Sequence, residues 1–481
     1  MGPGGAAAPP APPADPEVVI RQARARQRRR RRRVAVTAAA AAAGAIVYLA
    51  GGHTGGTRLV QRRASGRAGL APTVNLAAFA GHGELAFVSR GRLWVADGAT
   101  RTLRRVATPG MTPSGPVFSR DGGWLAFLAT RVSPAAGTAS YAVWLAAGDG
   151  SGAHQVQGPG GVAGFPPAIS WSPAADVLAV SDENTVRLIS PSGKARTLAR
   201  TPGIASAAWS PDGGSLAVAS TRWPSATTLA SYPVAGGKPT VWLRLNARHG
   251  VLNGMRQIVI DLAGWWPDQG IGFWVFGDGM EHNNDQTPLN LITAPGTRPR
   301  LLGYTLSDTT TTDAVAASRT GWLALVNNSA QAFGRLIWQG KHVRVCAPAA
   351  SCTTVPFPPG TVTIDPAWSP DGATLAFVQA PASARPGFPQ PIVARWYDAH
   401  QLWLYRPATR SLRRLDAPGA SDPAWSADGR SLLYTGRDGI WLLPRLSGRP
   451  ARITTPLFQP GNWPAYYGQV GWMGQFAWWP G

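Results

Sequence analysis

One ten-residue phrase recurs along this chain of 481 residues. Its clearest copy is W-S-P-D-G-A-T-L-A-F at residues 368–377, and two close copies read W-S-P-D-G-G-S-L-A-V and W-S-A-D-G-R-S-L-L-Y. Repetition at a spacing of about 40–55 residues predicts stacked copies of one supersecondary unit instead of several unrelated domains. Eight copies, some of them weak, begin at Phe79, Phe118, Trp171, Trp209, Trp265, Ala317, Trp368 and Trp425.

The middle of the phrase predicts a tight turn between two strands. Proline sets φ for the turn, and Asp and Gly supply backbone hydrogen bonding and positive φ. The Leu-Ala-Phe ending alternates large and small side chains, which is typical of a strand packed on both faces. Residues assigned to these turns by the pattern are Asp212, Gly213, Asp371, Gly372, Asp428 and Gly429.

Each unit also contains a third strand and a fourth, for example QLWLYR from Gln401 and SLRRL from Ser411. Four short antiparallel strands per unit, repeated radially, predict an all-β fold, a β-propeller of four-stranded antiparallel blades. The count gives eight blades, or seven if two weak units share one. The last residues, Ala477-Trp478-Trp479-Pro480, echo the start of the phrase and predict a strand that completes the first blade.

The chain has 21 tryptophans, which raises carbohydrate stacking as a function. Many of them recur at one position of the repeat, so core packing is the favoured interpretation. The predicted core positions that open the phrase are Trp171, Trp209, Trp368 and Trp425.

The phrase W-S-P-D-G-x-x-L-A-F, followed by Leu402-Trp403-Leu404 and the Arg-rich strand Leu412-Arg413-Arg414-Leu415, resembles the repeat of TolB-like propellers in the WD-repeat-like superfamily. The resemblance covers about residues 73–458 and implies a propeller domain at 73–481. Arg outnumbers Lys by 43 to 3, which is typical of a bias in genomic base composition. We interpret the chain as an actinobacterial-type, membrane-anchored member of the TolB-like propellers.

The N-terminal region differs from the rest of the chain. Residues 1–33 contain nine Arg and two acids and predict a disordered, basic cytoplasmic tail. Residues 34–52 carry no charge and are long enough for a transmembrane signal-anchor helix, and residues 53–72 predict a flexible linker. The positive-inside rule then places the propeller outside the cell membrane, with a single pass. A cleaved signal peptide and a soluble protein with a basic tail are the alternatives.

Cys346 and Cys352 lie between two strand-like segments. A disulfide that closes a hairpin fits an exported protein, and a pair of free thiols is the alternative. The spacing does not indicate a metal site.

The sequence contains no established catalytic motif. TolB-like propellers also gate prolyl-oligopeptidase-like enzymes, which would imply a serine hydrolase. The G-x-S-x-G motif of such an enzyme is missing, and about twenty residues follow the propeller, too few for a hydrolase domain. The seven histidines show no zinc-binding spacing, and the repeated Asp residues fit turns. The sequence therefore predicts a protein that is not an enzyme and has no catalytic residue, metal or cofactor.

One stretch breaks the repeat, between about residues 245 and 291. It combines aromatic residues with a run of polar, metal-capable side chains. The alternative to a ligand-binding loop here is an ordinary polar hairpin tip. The candidate ligand-binding residues are Trp265, Trp266, Asp278, Glu281, His282 and Asp285.

We therefore expect a membrane-anchored, extracytoplasmic propeller that acts as a protein–protein interaction scaffold of the cell envelope. The expected partner is another envelope protein. An anionic envelope polymer is a further candidate because, of the +22 net charge, +7 lies in residues 1–33 and +15 lies after them. The Arg run is explained by membrane topology and lipid, so no nucleic acid is expected, and the propeller should be monomeric. The alternative is a sugar- or metal-binding propeller, or an envelope enzyme, that uses the loop from Asp278 to Asp285.

Overall fold

A computed structural model gives the structure of residues 71–481. The predicted tail, the membrane span and nearly all of the linker lie outside the described residues. Among those described, no helix is both long and apolar enough to cross a membrane. The internal segments left undescribed are 134–137, 161–165, 223–224, 247–250, 253–257, 277–286, 306–313, 329–339, 349–351, 383–389, 458–464, 467–468 and 471–473.

The described chain folds into four-stranded antiparallel units, which we number as blades from the innermost strand outwards. Blade 1 contains β34 (Phe476–Trp479), β1 (Glu84–Ser89), β2 (Arg92–Asp97) and β3 (Thr102–Arg105). Blade 2 contains β4 (Thr112–Phe118), β5 (Trp124–Ser133), β6 (Thr138–Ala147) and β7 (His154–Gly160). Blade 3 contains β8 (Ala168–Trp171), β9 (Leu178–Ser181), β10 (Thr185–Ile189) and β11 (Ala195–Arg200). Blade 4 contains β12 (Ile204–Trp209), β13 (Ser215–Arg222), β14 (Ala226–Pro233) and β15 (Thr240–Leu245).

The second half repeats this order. Blade 5 contains β16 (Val259–Trp266), β17 (Gly270–Phe276), β18 (Thr287–Ile292) and β19 (Arg300–Thr305). Blade 6 contains β20 (Val315–Ala317), β21 (Leu323–Asn328), β22 (Lys341–Cys346) and β23 (Cys352–Thr354). Blade 7 contains β24 (Thr361–Trp368), β25 (Leu375–Pro381), β26 (Gln401–Arg406) and β27 (Ser411–Pro418), with helix α1 (Gln390–Asp398) between β25 and β26. Blade 8 contains β28 (Ser421–Trp425), β29 (Leu432–Gly436), β30 (Gly439–Leu443) and β31 (Ala451–Arg452); β32 (Ala465–Tyr466) and β33 (Gln469–Val470) form a separate hairpin.

The two ends of the domain meet in blade 1. Strand β34 pairs with β1, with Glu84 opposite Trp479 and Phe87 opposite Phe476. The C-terminal strand therefore completes the first blade, as predicted. In the clear copies the first residue of the phrase ends an innermost strand. In the weak copy at Phe79 it does not, because Phe79 lies in a turn before β1, where it is fully buried.

Apolar clusters fill the seam between each pair of neighbouring blades. The largest runs through blades 6, 7 and 8 and on into blade 1, where Tyr434 and Phe87 belong to the same cluster. A blade is apolar on both faces, so neither face stays dry unless the ring closes. The structure thus confirms an all-β fold of four-stranded antiparallel sheets, consistent with a propeller. Among the described residues six sheets have four strands each, and the strands of blades 5 and 6 join in one eight-stranded sheet, where Thr305 pairs with Asn327.

The Ser-Asp pair of the phrase closes a turn of fixed geometry. In blade 7 the Ser369 hydroxyl donates to Asp371 Oδ1 at 2.5 Å, and the backbone N–H of Thr374 donates to Ser369 Oγ at 2.9 Å. Gly372 has φ +69°, a conformation that a residue with a Cβ adopts only with strain. Equivalent bonds join Ser119 to Asp121, Ser210 to Asp212, and Ser426 to Asp428.

Three of the four phrase tryptophans tie their blade to the one before it. The Trp425 indole N–H donates to the carbonyl oxygen of Ala367 at 2.9 Å, and that carbonyl directly precedes Trp368. Trp209 and Trp171 donate in the same way to Ser170 and Val117. The Trp368 indole nitrogen is buried and has no hydrogen-bond partner among the residues that the structure describes.

Cys346 and Cys352 form a disulfide and lie directly opposite each other in β22 and β23. The bond closes the outer hairpin of blade 6. Because the loop between them is short, its entropic contribution to stability is about 2 kcal/mol.

The indole bonds give a paired test of the seams. Trp425→Phe removes the part-buried indole hydrogen bond to the Ala367 carbonyl, so we expect the free energy of unfolding to fall by about 1 kcal/mol more from this bond than in Trp368→Phe, whose indole makes none. Both substitutions make the same Trp-to-Phe change at the same position of the phrase, so each controls for the change of ring. Urea midpoints measured on both variants decide the matter, and equal losses would contradict the seam bond.

Candidate functional site

The two faces of the ring are built from different connections. In an antiparallel blade, the first-to-second and third-to-fourth turns share one face, here called the turn face. The described strands leave only three to seven residues for each of these turns. The repeated phrase occupies this face, so neighbouring blades present nearly the same short turns there.

The second-to-third connections and the links between blades emerge on the opposite face, here called the loop face. Connections up to blade 4 are short, but from blade 4 onwards six of them exceed seven residues. Long connections on a rigid scaffold are where binding and catalytic residues concentrate. These six connections are residues 246–258, 277–286, 306–314, 329–340, 382–400 and 453–475.

Of the six predicted ligand-binding residues, the structure describes Trp265 and Trp266. Trp265 and Trp266 end β16 at the turn face, whereas Phe276, after which the 277–286 connection begins, pairs with Val259 at the other end of the same blade. Trp266 is 6% exposed, and Trp265 packs edge-on against Trp242 with ring centroids 5.2 Å apart. Both indoles therefore serve the seams of blade 5.

The other four residues, Asp278, Glu281, His282 and Asp285, lie outside the described residues. Their connection leaves β17 and enters β18 at the loop face. A metal or ligand site formed by these four side chains remains a prediction. Among the residues that the structure describes, no group of three or more His, Cys, Asp or Glu side chains is arranged to hold a metal ion.

Helix α1 fixes the loop face above blade 7. Trp396 is 6% exposed, and its indole donates to the Pro381 carbonyl at 2.8 Å. His400 lies edge-on to the Trp396 ring at 4.4 Å and is fully buried. Its Nδ1 lies 3.0 Å from Ser421 Oγ and 3.2 Å from the carbonyl of Ala420, and Nε2 has no partner. Burial lowers the pKa of His400 to about 3, so the imidazole is neutral.

An ion pair links the loop-face connections of blades 7 and 8. Arg437 donates from Nε to Asp398 Oδ1 and from the guanidinium to Oδ2, each at 2.5 Å. A bidentate pair fixes the orientation of both groups. Together with the buried Trp396 and His400, it holds this part of the loop face in one arrangement.

Backbone bulges in the innermost strands were missed by the sequence reasoning. Asp365 and Asp422 have φ of 51° and 49°, and each precedes a proline at a shift of strand register. One Asp365 carboxylate oxygen accepts the backbone N–H of Asp422 from the next blade at 3.1 Å. The signal was the Asp-Pro dipeptide three residues before Trp368 and Trp425. Left-handed Asp before proline is strained, and the link between blades retains it.

The repeated turn aspartates have a structural role in the geometry. The pKa of Asp212, Asp371 and Asp428 is lowered first by the serine hydroxyl and then by a backbone N–H that each carboxylate accepts. Glu84 differs, because burial and the nearby Asp97 and Asp149 raise its pKa to about 7. Its Oε2 is buried without a partner.

No family model matches the chain. The peptidase YuxL of Bacillus subtilis, itself uncharacterized, is 44% identical over 73 residues, which is 15% of this chain and 9% of that protein. An oligogalacturonate lyase in complex with manganese is 15% identical, with 81% of this chain and 89% of that one covered and a TM-score of 0.41. A structure of prolyl endopeptidases is 14% identical, with 76% and 56% covered and a TM-score of 0.42.

These matches correct one prediction. The sequence predicted a protein that is not an enzyme, whereas the relative that matches over 73 residues is named a peptidase. The missing G-x-S-x-G motif excludes one kind of site, not enzymatic activity in general. A purely non-catalytic role is therefore withdrawn.

His400 gives a prediction for pH dependence. Its pKa is lowered from 6.5 to about 3 on folding, so the stability it contributes is present above pH 6.5 and lost as pH falls towards 3. The slope is about 1.4 kcal/mol per pH unit. Chemical unfolding of the parent and of His400→Gln across this range measures it, and the variant should lack the slope. His154→Gln, at an exposed site, serves as control, and an unchanged slope in His400→Gln would refute the assignment.

Glu84 predicts the opposite sign. Its pKa is raised above the ordinary value, so the folded state binds the proton more tightly, and stability declines as pH rises from 4.5 to about 7. Glu84→Gln should have a higher melting temperature than the parent at pH 8 and none of this advantage at pH 4. Thermal melts of both proteins, beside the exposed-site control Glu183→Gln, test this. A variant less stable at pH 8 would disprove it.

Proposed function

We propose that this chain is a cell-envelope propeller that binds its ligand on the loop face above blades 4 to 8, through a divalent metal ion held by the 277–286 connection. The observation that supports it is the segregation of every long connection to one face and one sector of the ring. A rigid ring with such a face presents a single surface for recognition.

The residues of the 277–286 connection suit a hard or borderline divalent cation. Asp278, Glu281 and Asp285 supply carboxylate oxygens, and His282 supplies an imidazole nitrogen. A bound cation would give the loop face a positive centre for the hydroxyl or carboxylate oxygens of a sugar, and a Lewis acid for an enzymatic reaction.

The proposal keeps the predicted location. Residues 34–52 would anchor the chain, and the propeller would face outwards, where carbohydrate polymers and envelope proteins are its accessible ligands. We also propose, on the same grounds, that the chain is an actinobacterial-type, membrane-anchored protein.

An envelope protein bound on the same face is the second candidate. It is favoured by helix α1 and the bidentate Arg437–Asp398 pair, which give blades 7 and 8 an ordered protein surface. In-cell crosslinking with mass spectrometry separates the two candidates, because a reproducible protein neighbour linked through α1 would indicate the scaffold role.

The metal proposal is tested on the purified full-length protein. After dialysis against manganese or calcium, elemental analysis should find about one ion per chain, and the double variant Asp278→Ala, His282→Ala should lose it. The matched control is Asp176→Ala, His154→Ala, which removes the same side-chain types from the turn face. Equal metal content in parent and loop variant, or equal loss in both variants, would overturn the proposal.

A further inference from the structure

A cavity opens on the turn face between blades 7 and 8, on the opposite side of the ring from the proposed ligand site. Its volume is about 580 Å³, within the range of pockets that enclose small molecules. Its walls are the outer hairpin of blade 7, the two phrase turns, and Leu446 from the last turn of blade 8.

The phrase turns of blades 3 and 4 pack closely against each other, whereas those of blades 7 and 8 are farther apart and leave the cavity between them. A Cβ built on Gly213 in blade 4 would lie 2.7 Å from the Cβ of Ala174 in the turn of blade 3. The equivalent Cβ on Gly429 in blade 8 would meet only Pro370 Cδ, at 3.7 Å. The Leu446 backbone has φ 55°, a strained conformation at the edge of the same cavity.

Two arginines lie on one wall. Leu404 pairs with Arg413 and Arg406 with Ser411, so Arg406 and Arg413 project from the same face of blade 7 as diagonal neighbours. Both side chains are exposed at the mouth of the cavity, and neither has a hydrogen bond or an ion pair within 4 Å among the described residues. The charge of Arg406 also helps to lower the pKa of Asp371, on the other side of the cavity. Two neighbouring guanidinium groups on one face suit a carboxylate.

The remaining walls supply an apolar surface and two acceptors. Leu404, Leu446 and Trp425 line the interior. Asp371 and Asp428 each use Oδ1 in their own turn, while no bond to Oδ2 occurs among the described residues. A single free oxygen on each carboxylate matches the one hydrogen of a hydroxyl better than the three of an ammonium group.

We propose that this cavity binds an acidic sugar, with its carboxylate on Arg406 and Arg413, a C–H face of its ring against Leu446 and Trp425, and its hydroxyls on Asp371 and Asp428. The site is separate from the proposed metal site, because the two lie on opposite faces. It gives the basic propeller a specific place for one residue of an anionic envelope polysaccharide.

The test uses the purified full-length protein and isothermal titration with sodium glucuronate, glucose and glycylglycine. We expect a dissociation constant on the order of 1 mM for glucuronate. Glucose, which lacks the carboxylate, should bind at least tenfold more weakly. Arg413→Gln should weaken glucuronate binding tenfold or more, and binding should decrease with salt.

Arg414→Gln is the matched control. Arg414 follows Arg413 in β27 but pairs with Trp403 on the opposite face of the strand, so its loss should leave glucuronate affinity within twofold. Absence of glucuronate binding, equal binding of glucose, tighter binding of glycylglycine, or equal effects of the two Arg variants would each overturn the proposal. Because the loop variant Asp278→Ala, His282→Ala keeps this cavity, its glucuronate affinity should match that of the parent, which separates this site from the proposed function.

Discussion

Every other feature of this propeller depends on the burial of two apolar faces per blade. A single four-stranded unit would leave both of its apolar faces in water, so only a closed ring of units buries all of them. The chain closes it by placing β34 beside β1, with Trp479 opposite Glu84. Apolar clusters then fill the seams all the way round, and the phrase tryptophans add hydrogen bonds across three of them.

The same repeat that builds the ring also divides its surface. Because the phrase encodes the first turn of most blades, one face is largely uniform and short-looped, and differences in length are left to the other face. Blades 7 and 8 combine both effects. Above them, helix α1, His400 and the Arg437–Asp398 pair form an ordered loop-face surface, and below them a wider gap between turns leaves the cavity with Arg406 and Arg413.

The repeated phrase predicted the fold, whereas the missing nucleophile motif did not decide whether the chain is an enzyme. The absence of a nucleophile motif led to the prediction that the chain is not an enzyme, yet the relative that matches over 73 residues is named a peptidase. A catalytic site on a propeller is assembled from connections of different blades, and side chains brought together in this way have no fixed spacing in sequence. For the same reason neither the Arg406–Arg413 wall nor the Asp365 link between blades was visible in the sequence.

Local chemistry sufficed to predict the strands and the Ser-Pro-Asp-Gly turns, since each depends on residues within ten positions of one another, whereas the blade count stayed open between seven and eight. The sequence also predicted the pairing of the final strand with the first blade, because the residues Trp-Trp-Pro near its end repeat the start of the phrase. Tertiary structure alone decided that Trp265 and Trp266 belong to the seams, at the far end of blade 5 from the Asp278–Asp285 connection. It likewise decided that Phe79 packs in a turn and that His400 is neutral. Burial and distance between blades arise only when the ring closes, so no local pattern of residues can specify them.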